Sequence, residues 1–193
     1  MTAIQLATLA DATGLPSGTS FPGSPANNDL FYRTDYDMLF FYDGTRWLST
    51  NLFTDQNLGT LFTNTTTLGD LRSAISATAS TVLRMLAPYN MGASDIWLVA
   101  YRVVFQVNGG TALSGSHKWV GTFQGFDAAT SVTGTAATVN IDSGSSSVFR
   151  ELNTTIGAAR VAGTLWYAMT WTKTGTPGSL QTGEQLIYRI IAT

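Results

Sequence analysis

The sequence of 193 residues contains no cysteine, only two lysines, two glutamates and a single histidine. Without cysteine the chain can form no disulfide, no thiolate metal site and no thiol nucleophile. Charged residues make up 11% of the chain, against about a quarter in typical domains. This shortage excludes a charged disordered chain and a coiled coil, and the scarcity of lysine and glutamate, two strong helix formers, argues against a helical bundle.

Basic residues are also few and scattered. The ten lysines and arginines occur singly, and the net charge is −2, whereas binding to nucleic acid needs clustered positive charge to neutralise phosphates. The most hydrophobic stretch, residues 96–107, is interrupted by Arg102 and Gln106 and is too short to span a bilayer. We therefore expect neither a nucleic-acid partner nor a membrane partner.

The residues that replace the missing charges favour strands and turns. The chain has 30 threonines, 16 serines and 19 glycines, and 44% of it is hydrophobic. Threonine favours pleated strands, while glycine and serine favour turns. From residue 81 to 193 the apolar residues alternate with polar ones, and glycine-rich turns separate the runs. The pattern predicts strands at 82–87, 97–107, 118–126, 137–141, 148–152, 161–173 and 185–192.

This spacing of strands predicts an all-β fold, an antiparallel β-sandwich of jelly-roll type. In the strand at 97–107 we expect the odd-numbered residues, from Trp97 to Val107, to share one face. Trp97, Trp166 and Trp171 are expected in the core of the sandwich.

Three further segments precede the sandwich domain at 81–193. Residues 1–29 hold three of the five prolines, and we interpret them as an extended N-terminal arm with a short helical turn near residues 4–9, docked on a neighbouring subunit. Residues 30–55 are interpreted as a small β-meander docking module. Residues 56–80 form a polar connector with a predicted short helix at 68–77.

The meander segment 30–48 reads LFYRTDYDMLFFYDGTRWL. Its three apolar runs, 30–33, 38–42 and 45–48, predict three short strands, and Asp43-Gly44 predicts a type I′ hairpin turn between the last two. The segment holds seven aromatic residues, more than so small a sheet can bury alone. We therefore predict a separable docking element, so that deletion of residues 1–55 leaves a folded sandwich. The predicted interface anchors are Tyr32, Arg33, Tyr42, Arg46 and Trp47.

Catalytic patterns are missing from the sequence. His117 adjoins Ser116, but neighbours on a strand point to opposite faces, so only Ser114 could reach the imidazole as a nucleophile. A glycosidase needs two facing carboxylates, and Glu151 and Glu184 have no obvious partner. We therefore expect no catalytic residue, no cofactor and no enzymatic activity. His117→Ala or Glu184→Gln is then expected to change stability by only about 0.5 kcal/mol.

Three aspartates of the meander, Asp35, Asp37 and Asp43, leave two interpretations open. An Asp-x-Asp pair at a turn can bind calcium through its carboxylate oxygens. Turn formation alone also accounts for aspartate at these positions, and we expect this structural role with no metal bound.

Residues 25–35, PANNDLFYRTD, followed by residues 39–47, LFFYDGTRW, resemble a short element of tailed-bacteriophage virion structural proteins. In those proteins a "gDlFYRTDl…lfyYDGtrW" stretch precedes a β-rich region. The resemblance implies a virion protein, located on the outer surface of the capsid or in the tail. It brings no catalytic residue with it.

Two functions follow from the resemblance. The first is a capsid decoration (cement) protein that clamps neighbouring capsomers, with the major capsid protein or other virion proteins as its partners. The second is a tail fibre, tail-tip or baseplate module that binds a host surface glycan. A fibre usually carries a long repetitive shaft, which these 193 residues lack, so decoration is favoured. The low charge and the aromatic content predict a closed homo-oligomer, a homotrimer.

Overall fold

The computed structural model describes residues 14–57, 81–86, 95–127, 131–144, 148–164 and 166–192. These residues contain twelve strands and no helix, which confirms the predicted all-β class. The strands are β1 Ser17–Gly18, β2 Leu30–Arg33, β3 Met38–Tyr42, β4 Trp47–Ser49, β5 Phe53–Asn57, β6 Thr81–Leu86, β7 Asp95–Gly110, β8 Lys118–Phe126, β9 Val132–Ile141, β10 Arg150–Ala159, β11 Trp166–Thr174 and β12 Pro177–Ala192. Across those ranges no helix has the length and apolar character needed to cross a bilayer. The predicted helical pieces at 4–9 and 68–77 lie outside the described residues.

The chain divides into two compact units. Unit 1 lies within residues 1–53, 90–97 and 188–193, and unit 2 within residues 54–89 and 98–187. Both β7 and β12 run from one unit into the other along the chain. Unit 1 is therefore built from segments far apart in the sequence rather than from residues 30–55 alone.

Unit 2 has the strand order of a jelly roll. One sheet runs β5-β12-β7-β10 and the other runs β6-β11-β8-β9. The eight strands from β5 to β12 thus switch between two four-stranded sheets at every step except from β8 to β9, which is the arrangement of a jelly roll. The predicted jelly-roll sandwich is confirmed by this order, which comes from the pairing of the strands themselves.

The core of unit 2 is aromatic. Tyr101 of β7 stacks on Phe123 of β8, with ring centroids 5.0 Å apart, and Phe123 stacks on Tyr167 of β11 at 5.1 Å. Because β7 belongs to one sheet and both other strands to the second, these rings join the two layers. Trp119 and Trp171 are also fully buried, as expected for Trp171. The side chain of Trp166 lies outside the described residues.

One glycine of β8 is required by this packing. A Cβ on Gly121 would lie 2.7 Å from the ring of Trp171 and 2.9 Å from the sulfur of Met169. Both neighbours are fully buried, so neither has free space into which to shift. Gly121 therefore leaves the space that the ring of Trp171 occupies against β8.

The predicted strands are mostly present but several bounds differ. The strand predicted at 161–173 begins only at Trp166, since residues 162–163 form a turn, and β10 continues from the predicted end at Leu152 to Ala159. In β7 the alternation shifts by one residue: Leu98 and Tyr101 are both buried, with half-buried Val99 and Ala100 between them. The expectation that Trp97 and Val99 share the buried face of Tyr101 was therefore wrong.

Unit 1 contains the predicted three-stranded meander, in the order β2-β3-β4. Strand β1 adds to its outer side in parallel with β2, and the C-terminal end of β12 pairs with β4. One face of this sheet carries the hydrophobic core of the unit, formed by Phe31, Phe40, Trp47, Ile190 and Ala192. The core thus combines the meander with residues about 140 to 160 positions later in the chain.

The described part of the N-terminal arm, residues 14–29, lies on the meander of its own chain. The amide of Tyr32 donates to the carbonyl of Pro16 at 2.9 Å, and the amide of Thr34 donates to that of Gly18 at 3.0 Å. Phe21 stacks on Trp47, with centroids 4.6 Å apart and rings 6° from parallel. The described part of the arm therefore packs on its own chain, and docking on a neighbouring subunit stays a prediction.

Candidate functional site

The last residue of β2, Arg33, is a buried arginine beside the turn that leads to β3. The Arg33 guanidinium lies 4.6 Å from the ring centres of both Phe21 and Tyr36. Its Nε and Nη2 donate to the two carboxylate oxygens of Asp35, at 2.8 and 2.7 Å. These hydrogen bonds lower the pKa of Asp35 and raise that of Arg33. The planar guanidinium therefore fills a slot between two rings, a place that lysine cannot fill in the same way.

The neighbouring Tyr32 is held by a second aspartate of the same turn. Its hydroxyl donates to Oδ1 of Asp37, whose backbone has a positive φ of 50°. The hydrogen bond to Asp37 and the burial of the phenol raise the pKa of Tyr32 to about 12. Asp37 thus closes the turn by accepting a hydrogen bond from the Tyr32 hydroxyl, which stays protonated.

The hairpin between β3 and β4 differs from the predicted type I′ turn. Only Gly44, with φ of 92°, has a positive φ here, while a type I′ turn needs two such residues. The Asp43 amide donates to the Arg46 carbonyl at 3.0 Å, so Gly44 and Thr45 are the central residues. Oδ1 of Asp43 accepts hydrogen bonds from the amides of Thr45 and Arg46 at 2.9 and 2.8 Å. Glycine at the first central position fits a type II′ turn.

The five predicted interface residues divide by burial. Tyr32, Arg33 and Trp47 are 2%, 5% and 6% exposed, so they pack within their own chain, whereas Tyr42 and Arg46 are half-buried. Arg46 lies over the ring of half-buried Trp97, 4.2 Å from its centre. The expectation that the meander is too small to bury its aromatic residues overlooked Phe21 and the end of β12, which cover its core face.

The opposite face of the meander carries apolar residues that are not among the predicted interface residues. Leu30 pairs with Phe41, Phe41 with Leu48, and Leu48 with Ile191, so the four share one face across four strands. Leu30 is 44% exposed, and Phe41 and Ile191 are half-buried. Alternation within the run Leu39-Phe40-Phe41-Tyr42 was the available signal, because it places Phe41 opposite the buried Phe40.

The aspartates considered for calcium do not converge. Asp35 binds Arg33, Asp37 binds Tyr32, and Asp43 binds backbone amides and Arg46. Among the described residues, no group of three histidine, aspartate or glutamate side chains is placed to hold a metal ion. The structure therefore accounts for each of the three through a turn or an ion pair.

The histidine, the serine and the first glutamate considered for catalysis form hydrogen bonds or an ion pair within the chain. Ser114 and His117 pair through their backbones at 3.0 and 3.2 Å, and Nδ1 of His117 accepts a hydrogen bond from the Thr176 amide at 3.1 Å. Glu151 forms an exposed ion pair with Arg102 at 2.5 Å.

Glu184 differs most from expectation. It is 3% exposed, and its Oε1 accepts hydrogen bonds from the Trp171 indole at 3.0 Å and the Thr182 hydroxyl at 2.9 Å. The expectation that Glu184 has no partner was therefore wrong, and its substitution is now expected to cost more stability than a surface substitution.

A cavity of about 340 Å³ lies beside the end of β7 in unit 2. It is lined by Val107, Gly109, Gly110, Thr111, Ala112, Leu113 and Gly144. One hydroxyl is the only polar side-chain group in this lining, so these residues supply neither a base nor a metal ligand.

No family model matches the chain, and no curated protein matches its sequence. Two solved structures of infectious bursal disease virus show a distant likeness. The Gx strain structure shares 10% identity with a TM-score of 0.41, over 88% of this chain and 36% of that chain. The Gt strain structure shares 7% identity with a TM-score of 0.31, over 73% and 31%. This chain thus spans about a third of the length of the viral chains, and its jelly-roll assignment rests on its own strand order.

Proposed function

We propose that the chain is a non-enzymatic structural protein of a tailed-bacteriophage virion, a capsid decoration protein that holds neighbouring capsomers together. The observation that carries the proposal is the element at residues 25–47, which resembles a stretch of phage virion proteins. In the structure its turn residues form a compact set of contacts: Arg33 with Asp35, Tyr32 with Asp37, and Asp43 with the Gly44 hairpin. These contacts shape the turns of the element, while its core is completed by Phe21 and by the end of β12.

The architecture behind the element supports the same proposal. Jelly rolls serve as viral capsid domains and as lectins. A two-layer sandwich whose aromatic rings join both sheets forms a rigid block, which suits a protein that must resist deformation on a particle. The partner in this proposal is the major capsid protein or another virion protein.

The surface proposed for that partner is the less covered face of the meander, with Leu30 as its most exposed apolar side chain and Phe41 and Ile191 beside it. Tyr42 and Arg46 remain partly accessible at the meander and stay predicted contacts. Tyr32, Arg33 and Trp47 act in this proposal by holding the meander in shape.

A tail fibre, tail-tip or baseplate module that binds a host glycan is the second candidate, and one observation favours it. Side-chain amides lie together on one sheet of unit 2: Asn108 donates to Gln106 at 3.3 Å and to Gln181 at 3.4 Å, and Arg102 donates to Gln185 at 3.5 Å. Amides offer both donors and acceptors, which the hydroxyl groups of a sugar also need.

The copy number in purified particles separates these functions. Quantitative mass spectrometry of the chain relative to the major capsid protein is expected to give hundreds of copies for a decoration protein. A handful of copies would instead support the tail or fibre role. Complete absence from the particles would contradict both functions.

A further inference from the structure

We propose that the hydrogen bond between the His117 imidazole and the Thr176 backbone is a pH-sensitive switch, which holds the loop at residues 111–117 against the turn at residues 175–176 when the ring is neutral and releases it in acid. The loop joins β7 to β8, and the turn joins β11 to β12. The Thr176 amide donates to Nδ1 of His117 at 3.1 Å. His117 is the one histidine of the chain, and the proposed virion role makes no use of it.

This hydrogen bond fixes the protonation state of the ring. A backbone N–H can only donate, so Nδ1 must offer a lone pair, and the neutral ring carries its proton on Nε2. The Thr176 hydroxyl lies 3.4 Å from the same nitrogen and can donate to it as well. An imidazolium has a proton on each nitrogen, so it would turn an N–H toward the N–H of Thr176. The contact is therefore open to the neutral ring alone.

Gly175 allows the turn to lie directly against the imidazole. A Cβ at this position would lie 2.3 Å from the carbonyl oxygen of Ser116 and 2.5 Å from Nδ1 of His117. The φ of Gly175 is also positive, at 66°, which favours glycine. With no side chain between ring and turn, a change in the hydrogen bonding of the ring acts on the turn directly.

Thr176 also binds the first residue of the loop. The Thr111 amide donates to the Thr176 carbonyl at 2.9 Å, and the hydroxyl groups of the two threonines lie 2.8 Å apart. Both ends of the loop, Thr111 and His117, are thus hydrogen-bonded to one residue of the turn. Thr111, Ala112 and Leu113 line the cavity of about 340 Å³. Loss of the His117 contact therefore loosens one wall of this cavity.

Three other titratable side chains lie on the strand ends around His117. Lys118 begins β8, Lys173 lies near the end of β11, and Asp142 directly follows β9. The pairing of β8 with β11 and with β9 brings these ends together. The adjoining ends of β7 and β12 and the other residues of the loop carry no titratable side chain. Lysine and aspartate ordinarily keep their charge across the pH range in which histidine titrates, so a pH step in that range points to His117.

The direction of the effect follows from the proton balance. Histidine ordinarily takes up its second ring proton between about pH 5 and 8. Because the bound loop requires the neutral ring, its population rises as the pH rises and falls as the pH falls. Gly175 and Thr176 are exposed, so a released Thr176 amide can bond to water while the core of unit 2 stays folded. The switch is therefore local, and amide exchange reports it better than global unfolding does.

The test is NMR spectroscopy of the full chain. With one histidine present, the ring nitrogen signals need no assignment, and at neutral pH we expect the proton on Nε2 rather than on Nδ1. The second measurement is hydrogen exchange of the Thr176 amide, expressed as a protection factor, which removes the intrinsic pH dependence of exchange. We expect this factor to fall by about three- to tenfold between pH 8 and pH 5. The protection factor of the Thr111 amide should fall with it.

Two substitutions distinguish the switch from a general loosening in acid. His117→Asn places an acceptor oxygen close to the position of Nδ1 but does not titrate, so the Thr176 amide should stay protected at both pH values. His117→Ala removes the acceptor, so protection should be low at both. The Thr164 amide is the internal control, because it donates to the Val161 carbonyl at 3.1 Å in a turn without histidine; its protection factor should change by less than about twofold.

Several results would overturn the proposal. These are a neutral ring protonated on Nδ1, a Thr176 protection factor that does not change with pH in the wild type, or a pH step that persists in His117→Ala or His117→Asn. None of these results bears on the number of copies in the particle, so this proposal and the proposed function fail separately.

Discussion

The indole N–H of Trp171 donates to the carboxylate of Glu184 at 3.0 Å, with both side chains buried in unit 2. The Thr182 hydroxyl donates to the same oxygen. A carboxylate in the interior of a sandwich is costly unless it is hydrogen-bonded. Here it joins β11 of one sheet to β12 of the other, so it contributes to the alignment of the two layers.

Removal of this acceptor is expected to destabilise the fold. Glu184→Ala leaves the Trp171 and Thr182 donors without it, which should cost about 2 to 4 kcal/mol of unfolding free energy, measured by urea denaturation. Glu184→Gln keeps an acceptor oxygen and should cost about half as much. Glu151→Ala is the control, since its ion pair with Arg102 is exposed. Equal effects of Glu184→Ala and Glu151→Ala would contradict this prediction.

The raised pKa of Tyr32 predicts a loss of stability at high pH. The phenol keeps its proton up to about pH 12 in the folded chain, compared with 10.0 when unperturbed. Its contribution to stability is therefore complete below about pH 10 and is lost as the pH rises toward 12. Ultraviolet absorbance during alkaline titration, compared between the wild type and Tyr32→Phe, should assign a late ionisation step to Tyr32. In Asp37→Asn this late step should move to lower pH; an unchanged titration would argue against the Tyr32–Asp37 bond.

Gly121 provides a test of packing. Gly121→Ala forces a methyl group against the ring of Trp171 and the sulfur of Met169, and we expect a cost of about 1 to 3 kcal/mol. Gly115→Ala is the matched control, because no atom lies within 4 Å of the added methyl group and its φ is not positive. Thermal unfolding of both variants measures the difference. A Gly121→Ala variant as stable as Gly115→Ala would show that β8 and β11 pack less closely than described.

The two faces of the meander should separate folding from binding. Trp47→Ala removes a buried ring from the core face and should cost about 3 to 5 kcal/mol of stability. Leu30→Asp changes a side chain that is 44% exposed, so it should leave the melting temperature nearly unchanged while weakening binding to particles. For each variant, thermal unfolding measures stability, and co-sedimentation with particles that lack the protein measures binding. If Leu30→Asp binds like the wild type, the partner uses another surface.

Local patterns predicted the strands whose two faces differ most in polarity. The meander followed from aromatic runs and glycine at a turn, and the jelly roll from repeated alternation. Strand β5 was missed because Thr54-Asp55-Gln56-Asn57 contains no apolar side chain, and β10 was predicted to end too early because Asn153-Thr154-Thr155 interrupts its apolar pattern. Their strand conformation comes from pairing with neighbouring strands, which a sequence window does not contain.

The site was predicted less well because its burial is set at long range. Tyr32, Arg33 and Trp47 appeared to be surplus aromatic and cationic groups on a small sheet. Trp47 is covered by Phe21 of the arm and by Ile190 and Ala192 of the last strand. Arg33 lies against the rings of Phe21 and Tyr36, and Tyr32 is bound by Asp37. Deletion of residues 1–55 would remove the meander and also the first three residues of β5, which is a strand of the jelly roll.

The position of β12 has a consequence for biosynthesis. This strand follows all other described strands in the chain, yet it lies between β5 and β7 in the jelly roll, and its last residues complete the core of unit 1. On the ribosome, neither unit can close until Pro177–Ala192 has left the exit tunnel. Folding of both units is therefore expected to wait for Pro177–Ala192, and a nascent chain that stalls before Pro177 should stay sensitive to protease along its entire emerged length.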